Sequence, residues 1–367
     1  MSRTVSSTSL LILVAAAGCS SATSGTVMQG NPASTSVVVG SSNVAPNFVE
    51  VVPHVANQRV DVLVGGKPFT AYMWPTSLKK PVLYPLRTAS GTTVTRGYPL
   101  EPRAGERVDH PHHAGLWFNY GDVNGLDFWN NSTAIKAEDA PKMGTILHRS
   151  VGETKSGPGE GSLKVVTEWV DPQGKPLLRE NTTFVFRAAD DVRTVDRITT
   201  LTALDQPVSF TDNKEGVIGL RVARQLEQPS TTPDKFTDAS GRPTTVAVLD
   251  NTGVTGKYLS SEGKEGDAVW GTRGRWATLS GTMNGEPVRI AMFDHPSNVG
   301  YPTYWHARGY GLFAANPLGQ KALSNGKDVL DFKLQPGQST TFRHEILIMN
   351  GPAATRNIEP YYAGWAK

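Results

Sequence analysis

Asp109-His110-Pro111-His112-His113-Ala114-Gly115-Leu116-Trp117-Phe118 runs on to Gly121-Asp122-Val123-Asn124-Gly125-Leu126-Asp127-Phe128-Trp129, and this stretch concentrates groups that do chemistry. Three of the chain's 8 histidines fall within four residues here, preceded by Asp109 and followed by two tryptophans and two more carboxylates. Imidazoles and carboxylates transfer protons or bind metals, and indoles make flat apolar walls. Burying such a mixture for packing alone is unfavourable, so the stretch reads as the wall of a site. On an extended backbone His110 and His112 point to one side and His113 to the other. Pro111 cannot donate to a sheet ladder, which puts the segment at an edge or in a loop. Three uses remain open for these rings. His110 and His112 could join Asp122 or Asp127 around a divalent metal, since imidazole suits zinc, copper and iron. They could move protons or hold a substrate. They could also only brace a loop.

Asp212, Lys214, Glu215 and Arg221 form a second cluster. Lys214–Gly216 reads as a turn, and Arg221 between Leu220 and Val222 reads as half-buried in a strand. A buried guanidinium needs a carboxylate, which Glu215 or Asp212 would supply. If the cluster is functional, Glu215 is a general acid or base whose pKa the arginine sets. A third segment, Trp305-His306-Ala307-Arg308, follows Asp294-His295-Pro296, which repeats the opening Asp-His-Pro. When extended it places His306 and Arg308 on one side, a pair suited to an anionic or hydroxyl-rich ligand. The candidate proton-transfer groups are therefore His110, His112 and His306, with Glu215 as paired carboxylate. Asp122 is a candidate substrate contact, Arg221 and Arg308 would hold negative charge, and Trp117 and Trp305 would stack on a sugar ring or else pack in the core. The three segments are expected to converge on one concave face, where a few polar groups orient a ligand against an apolar wall.

The elements that must position these groups are strands. Leu163, Val165 and Trp169 alternate with Lys164 and Glu168, giving one apolar and one polar face. Asp171-Pro172-Gln173-Gly174 turns the chain into a strand over 176–187. Asn284-Gly285 between 276–283 and 286–294 signals a two-residue hairpin, and Gly65-Gly66 joins 59–64 to 67–73 in the same way. Gln335-Pro336-Gly337-Gln338 links two last strands. The 37 glycines and 25 prolines fit many tight turns. One short helix is expected near Leu318–Ser324, and none longer than about 12 residues. Fifteen or more short strands without a linker predict an all-β fold of two large antiparallel sheets packed face to face.

The opening stretch resembles the signature of the bacterial family labelled methane oxygenase PmoA, or PmoA-like. The match continues through Phe210-Thr211-Asp212-Asn213-Lys214-Glu215-Gly216 with Arg221, and through Trp305–Gly311 and Asn316-Pro317, covering most of residues 58–350. The label implies a metal-dependent oxidase or oxygenase. Separately, Lys80-Pro81-Val82-Leu83-Tyr84-Pro85-Leu86 and Leu334-Gln335-Pro336-Gly337-Gln338 resemble runs of aldose 1-epimerases, which implies the galactose-mutarotase-like supersandwich. Those epimerases carry a His-Gly before an aromatic and a mid-chain histidine. Here no histidine lies between His148 and His295, so this resemblance carries the fold and not mutarotase activity.

Leu10 to Ala17 is an apolar run well short of the ~20 residues that span a bilayer, and Ala16-Ala17-Gly18-Cys19 resembles a bacterial lipobox. Residues 1–18 are therefore expected to be a signal peptide. Residues 19–47 would be a flexible tether with lipid on Cys19, the sole cysteine, and 48–367 one β-sandwich domain. This places the protein in the cell envelope, on the periplasmic or outer-membrane side. A net charge of +3 with scattered basic residues points away from nucleic acid. The expected function is a carbohydrate-active enzyme using His/carboxylate acid–base chemistry on a saccharide, by epimerisation, elimination or hydrolysis. The alternatives are the metal-dependent oxygenase and a non-catalytic glycan-binding lipoprotein. Oligomeric state and cofactor stay open.

Overall fold

The computed structural model describes residues 44–367, and these form one compact unit. The expected signal peptide, Cys19 and nearly all of the expected tether lie outside the described residues. The architecture is the all-β, two-sheet sandwich that the alternating pattern predicts. One sheet has 9 strands and the other 8, with two small two-stranded ribbons beside them. Every strand pairing within the two large sheets is antiparallel, so short turns suffice to connect most neighbours. The Asn284-Gly285 hairpin forms as expected, with Met283 opposite Glu286. So does the Gly65-Gly66 hairpin, with Val64 opposite Lys67. Asn284, Gly285, Gly65 and Gly66 all take positive φ, as a two-residue turn between twisted strands requires.

The core lies between the sheets. Val60, Val62 and Val64 face inward from one strand while Arg59, Asp61 and Leu63 alternate outward. From the facing sheet come Leu163, Val165, Trp169, Phe184 and Phe186. Phe118 of the 9-stranded sheet meets Trp169 and Phe342 across the gap, with ring centroids 6.3 and 5.7 Å apart. Each buried large side chain of this kind stabilises the fold by about 1.5–3 kcal/mol.

Two α-helices are present among the described residues. Gln320–Leu323 falls inside the expected stretch. The second, Glu359–Trp365, was not expected. Its seven residues are too few for a helical period to stand out from the strand pattern. It is held by packing: Tyr362 lies edge-on to Phe293 at 5.5 Å, and Glu359 binds Arg275 and Trp276 at 2.8 and 2.9 Å.

Candidate functional site

The site is built on the outer face of the 9-stranded sheet. Strands Leu116–Tyr120, Gly216–Arg221, Leu312–Asn316 and Tyr304–Arg308 lie side by side there. Leu116, Phe118 and Tyr120 turn into the intersheet core, so Trp117 turns out. Gly219 stands opposite Trp117, and the indole lies over it: a Cβ on Gly219 would come within 2.5 Å of the ring. The same alternation sends Trp305 and Ala307 into the core and leaves His306 and Arg308 outside. Trp305 packs on Phe313 at 5.9 Å and is fully buried. Its expected role as a ring-stacking wall is therefore corrected to core packing.

The segment before this sheet does not run extended. His110 has φ of 43°, and the His113 amide donates to the His110 carbonyl at 2.9 Å, closing a turn. The turn brings His110, His112 and His113 together, where an extended path would have split them. His110 and His113 stack in parallel at 4.8 Å, and His112 sits edge-on to His113 at 4.3 Å. The stack continues outward to Tyr310 at 5.2 Å from His110, and inward to Trp117 at 5.1 Å from His113. Trp117 is thus the floor beneath a histidine, out of a ligand's reach, which corrects its expected stacking role.

Two buried arginines hold the turn. Arg96 donates to the carbonyls of His110 and His113, both at 3.1 Å, and pairs with Asp109. Arg221 binds Asp109 at 2.6 Å and His113 Nδ1 at 3.2 Å. The expected partner for Arg221 was Glu215 or Asp212; it is Asp109, because Glu215 leaves the strand on the far side of Gly216. Burial alone would raise the Asp109 carboxyl. The guanidinium of Arg221, the His110 ring and Arg96 instead hold it far below the usual carboxylate range. Lys80 is a third buried cation, with Nζ donating to the His112 carbonyl at 2.8 Å and lying 5.5 Å from the Trp117 ring centre. Burial pulls its pKa down to about 7 against the opposing pull of Asp127.

His112, His113 and His306 are poor cations. Burial, then Lys80, lowers His112 to about 2, and burial with His112 and Arg221 beside it holds His113 well below its ordinary value. His112 therefore cannot serve as a charged acid at neutral pH. Arg221 can only donate, so His113 Nδ1 accepts and its proton is on Nε2, a buried atom with no partner. His306 is lowered by burial to about 4, against the opposing charge of Glu215. Its Nδ1 lies 3.0 Å from the Lys214 carbonyl, which can only accept, so Nδ1 carries the proton and Nε2 the lone pair. Glu215 Oε2 stands 3.6 Å from the same ring, and Lys214 pairs with the other oxygen.

His110, His112, Glu215, His306 and Arg308 line one cavity of about 400 Å³. The three distant segments converge there as expected. Arg221 lies beneath it, 4.7 Å under the Tyr310 ring. Asp122 is elsewhere, accepting the Gly125 amide at 2.9 Å in a turn. Asp127 binds the amides of Trp129 and Asn130 at 2.8 and 2.9 Å. Among the described residues no three His, Cys, Asp or Glu side chains are placed to hold a metal ion, so the His110/His112 metal arrangement does not form. Trp129, at the end of the opening stretch, also lines the cavity, and Asp109, His113, Trp270 and Tyr310 join the site without having been singled out by their residue types. Asp109 and Tyr310 sit inside the two quoted motifs. Trp270 comes from a loop without any motif.

A family model described as Family of unknown function (DUF6807) matches residues 59–363, so the chain belongs to that family. No curated protein matches it. Solved structures similar to it include the GH36 α-galactosidase of Geobacillus stearothermophilus, at 11% identity and a TM-score of 0.38 over 83% of this chain and 40% of that one. A protein described as an aldose 1-epimerase from Escherichia coli K12 is 12% identical, with a TM-score of 0.32 over 82% of this chain and 98% of that one. A galactose mutarotase-like protein from Clostridium acetobutylicum is 10% identical, with a TM-score of 0.34 over 83% and 99%. The chain thus spans about two fifths of the α-galactosidase. Likenesses this distant fix neither an activity nor a substrate.

Proposed function

We propose that this DUF6807 protein is a carbohydrate-active enzyme in which His306, paired with Glu215, moves the proton. The observation that carries the reading is the His306–Glu215 pair itself: a neutral imidazole with its lone pair on Nε2, 3.6 Å from a carboxylate, in the wall of a cavity of about 400 Å³. As a neutral imidazole, His306 keeps its Nε2 lone pair available at any pH above its own pKa, and the charge of Glu215 raises its basicity against the effect of burial. As Nε2 takes a proton, the neighbouring Glu215 carboxylate stabilises the imidazolium that forms. Removing a proton from a sugar carbon serves epimerisation or elimination, and removing one from an attacking water serves hydrolysis. Cys19 as a lipid anchor would place this activity in the cell envelope.

The metal-dependent oxygenase that the PmoA-like label implies has no fitting ligand set among the described residues, and no step is drawn through a metal. The test is a panel of mono- and oligosaccharides incubated in D2O and followed by proton NMR. Deuterium incorporation, a new anomeric or unsaturated signal, or bond cleavage is expected, and His306→Gln should abolish it. Saturable binding without any turnover would instead identify a glycan-binding protein.

A further inference from the structure

The cavity that holds His306 opens onto a second one. A hollow of about 560 Å³ lies beside it and shares Trp270, Arg308 and Tyr310 with it. Each is of a size that takes a ligand of several rings or less. The three shared residues form the sill between the two.

The charges around this sill are almost all satisfied. Arg107 of the second hollow binds Glu227 at 2.7 Å and Asp234 at 2.6 Å. Asp267 accepts Gln228 Nε2 at 2.7 Å, a neutral partner, so it is the one carboxylate here without a cation among the described residues. Arg96 and Arg221 share Asp109, and Lys214 pairs with Glu215. Arg308 differs. Among the described residues it meets no carboxylate, and its guanidinium instead lies over two aromatic faces, Trp270 at 5.4 Å and Tyr310 at 5.9 Å. Stacking fixes the plane of the fork while leaving its N–H edge free to donate. Arg308 points outward from the same strand and on the same side as His306, two residues away. Trp270 is the only aromatic among the exposed large hydrophobic side chains of the described residues. An indole left in water at the rim of a polar cavity is the usual partner of an apolar sugar face.

We propose that the substrate is an acidic oligosaccharide that spans both hollows, with a uronate carboxylate held by Arg308 at the sill. This rests on the reading of the His306 cavity as a saccharide site. A planar carboxylate accepts two parallel N–H bonds from a guanidinium, and such pairs are both stronger and more directional than a hydroxyl contact. The Arg308 contact would place the acidic sugar next to His306, so that one residue sets both the charge and the register of the chain.

The experiment is calorimetric binding of the purified protein to di- to tetrameric uronic-acid oligosaccharides of several stereochemistries, and to the same oligomers with their carboxyls reduced to alcohols. Sulfated neutral oligomers form a third arm. At least one uronate oligomer should bind. Its reduced counterpart should bind at least about tenfold more weakly, as expected for loss of a charge-assisted pair. Affinity should fall with added salt, because Arg308 is exposed. Arg308→Lys should weaken the uronate oligomer by a larger factor than its reduced counterpart. Trp270→Ala should weaken tetramers more than dimers. Equal binding of acidic and reduced oligomers, preference for the sulfated arm, or no binding of any uronate oligomer would overturn the proposal. The two readings fail separately. Turnover of neutral sugars by the parent protein with no binding of any uronate oligomer would leave the His306 chemistry standing and remove the acidic substrate. Arg308-dependent uronate binding with no turnover would do the reverse.

Discussion

Asp109 and Arg221, 112 residues apart in sequence, meet at 2.6 Å. Arg221 is fully buried and Asp109 nearly so, with side-chain exposures of 0% and 13%. The contact ties a loop to the middle of a sheet. Because Arg96 shares the same carboxylate, one anion offsets two buried cations. It also sets His113, since Arg221 bonds that ring as well. These three charges lie below the cavity, where water screens them little.

Asp109→Asn would therefore leave two guanidiniums without a counter-charge. Breaking a buried pair in this way costs about 3–5 kcal/mol. Denaturant unfolding should show a loss of that order, and an unchanged midpoint would refute the assignment. The pH dependence has a definite sign. The Asp109 carboxyl is held below its unfolded value, so its contribution is present above about pH 4 and is lost as pH falls below that.

Gly219 sits under Trp117, with only 2.5 Å between an added Cβ and the indole. Gly219→Ala forces the ring outward against His113, stacked 5.1 Å above it. Overpacking of this kind costs about 1–3 kcal/mol. The expected outcome is a lower unfolding midpoint together with weaker ligand binding, as the His113 ring is displaced. A variant as stable as the parent would show that Trp117 yields freely.

How much of this was legible in the residues depended on whether the information was local. Strand alternation and the Asn284-Gly285 and Gly65-Gly66 turns are local, and they predicted both the sandwich and its hairpins. The same alternation put His306 and Arg308 together and opposite Trp305. Which side faces the core was not legible, because Trp305 and His306 are equally plausible as lining residues until Phe313 and the facing sheet are in place. The Asp109 turn was illegible for a related reason. An extended path through Pro111 is the local default, and the turn exists because Arg96, from a separate segment, gathers the carbonyls of His110 and His113. Arg221's need for an anion was legible, but the identity of that anion was a tertiary fact.

Cys19 lies outside the described residues, and the lipid-anchor proposal rests on Ala16-Ala17-Gly18-Cys19 after a short apolar run. A single acyl chain binds a membrane only marginally, whereas several hold firmly. Cys19→Ala should release the mature protein from the membrane fraction or leave it unprocessed. Unchanged fractionation with an unchanged mass would reject the anchor.

His306 gives the sharpest test of the chemistry. Burial lowers its pKa to about 4, with Glu215 pulling the other way. The ring should thus remain neutral across physiological pH, and the acid limb of the activity should fall near pH 4 in place of the ordinary 6.5 of histidine. Ring-carbon NMR of specifically labelled protein reads this directly. Glu215→Gln removes the opposing charge, so it should shift the protonation midpoint still lower while cutting turnover. The stability sign follows from the same shift. With the folded pKa below the unfolded one, the neutral ring favours folding. That contribution is complete above about pH 6.5 and declines as pH drops toward the folded pKa. His306→Gln should abolish that part of the acid sensitivity and eliminate turnover while retaining ligand binding. A ring that titrates near 6.5, or a Gln variant with full activity, would remove His306 from the proton-transfer step.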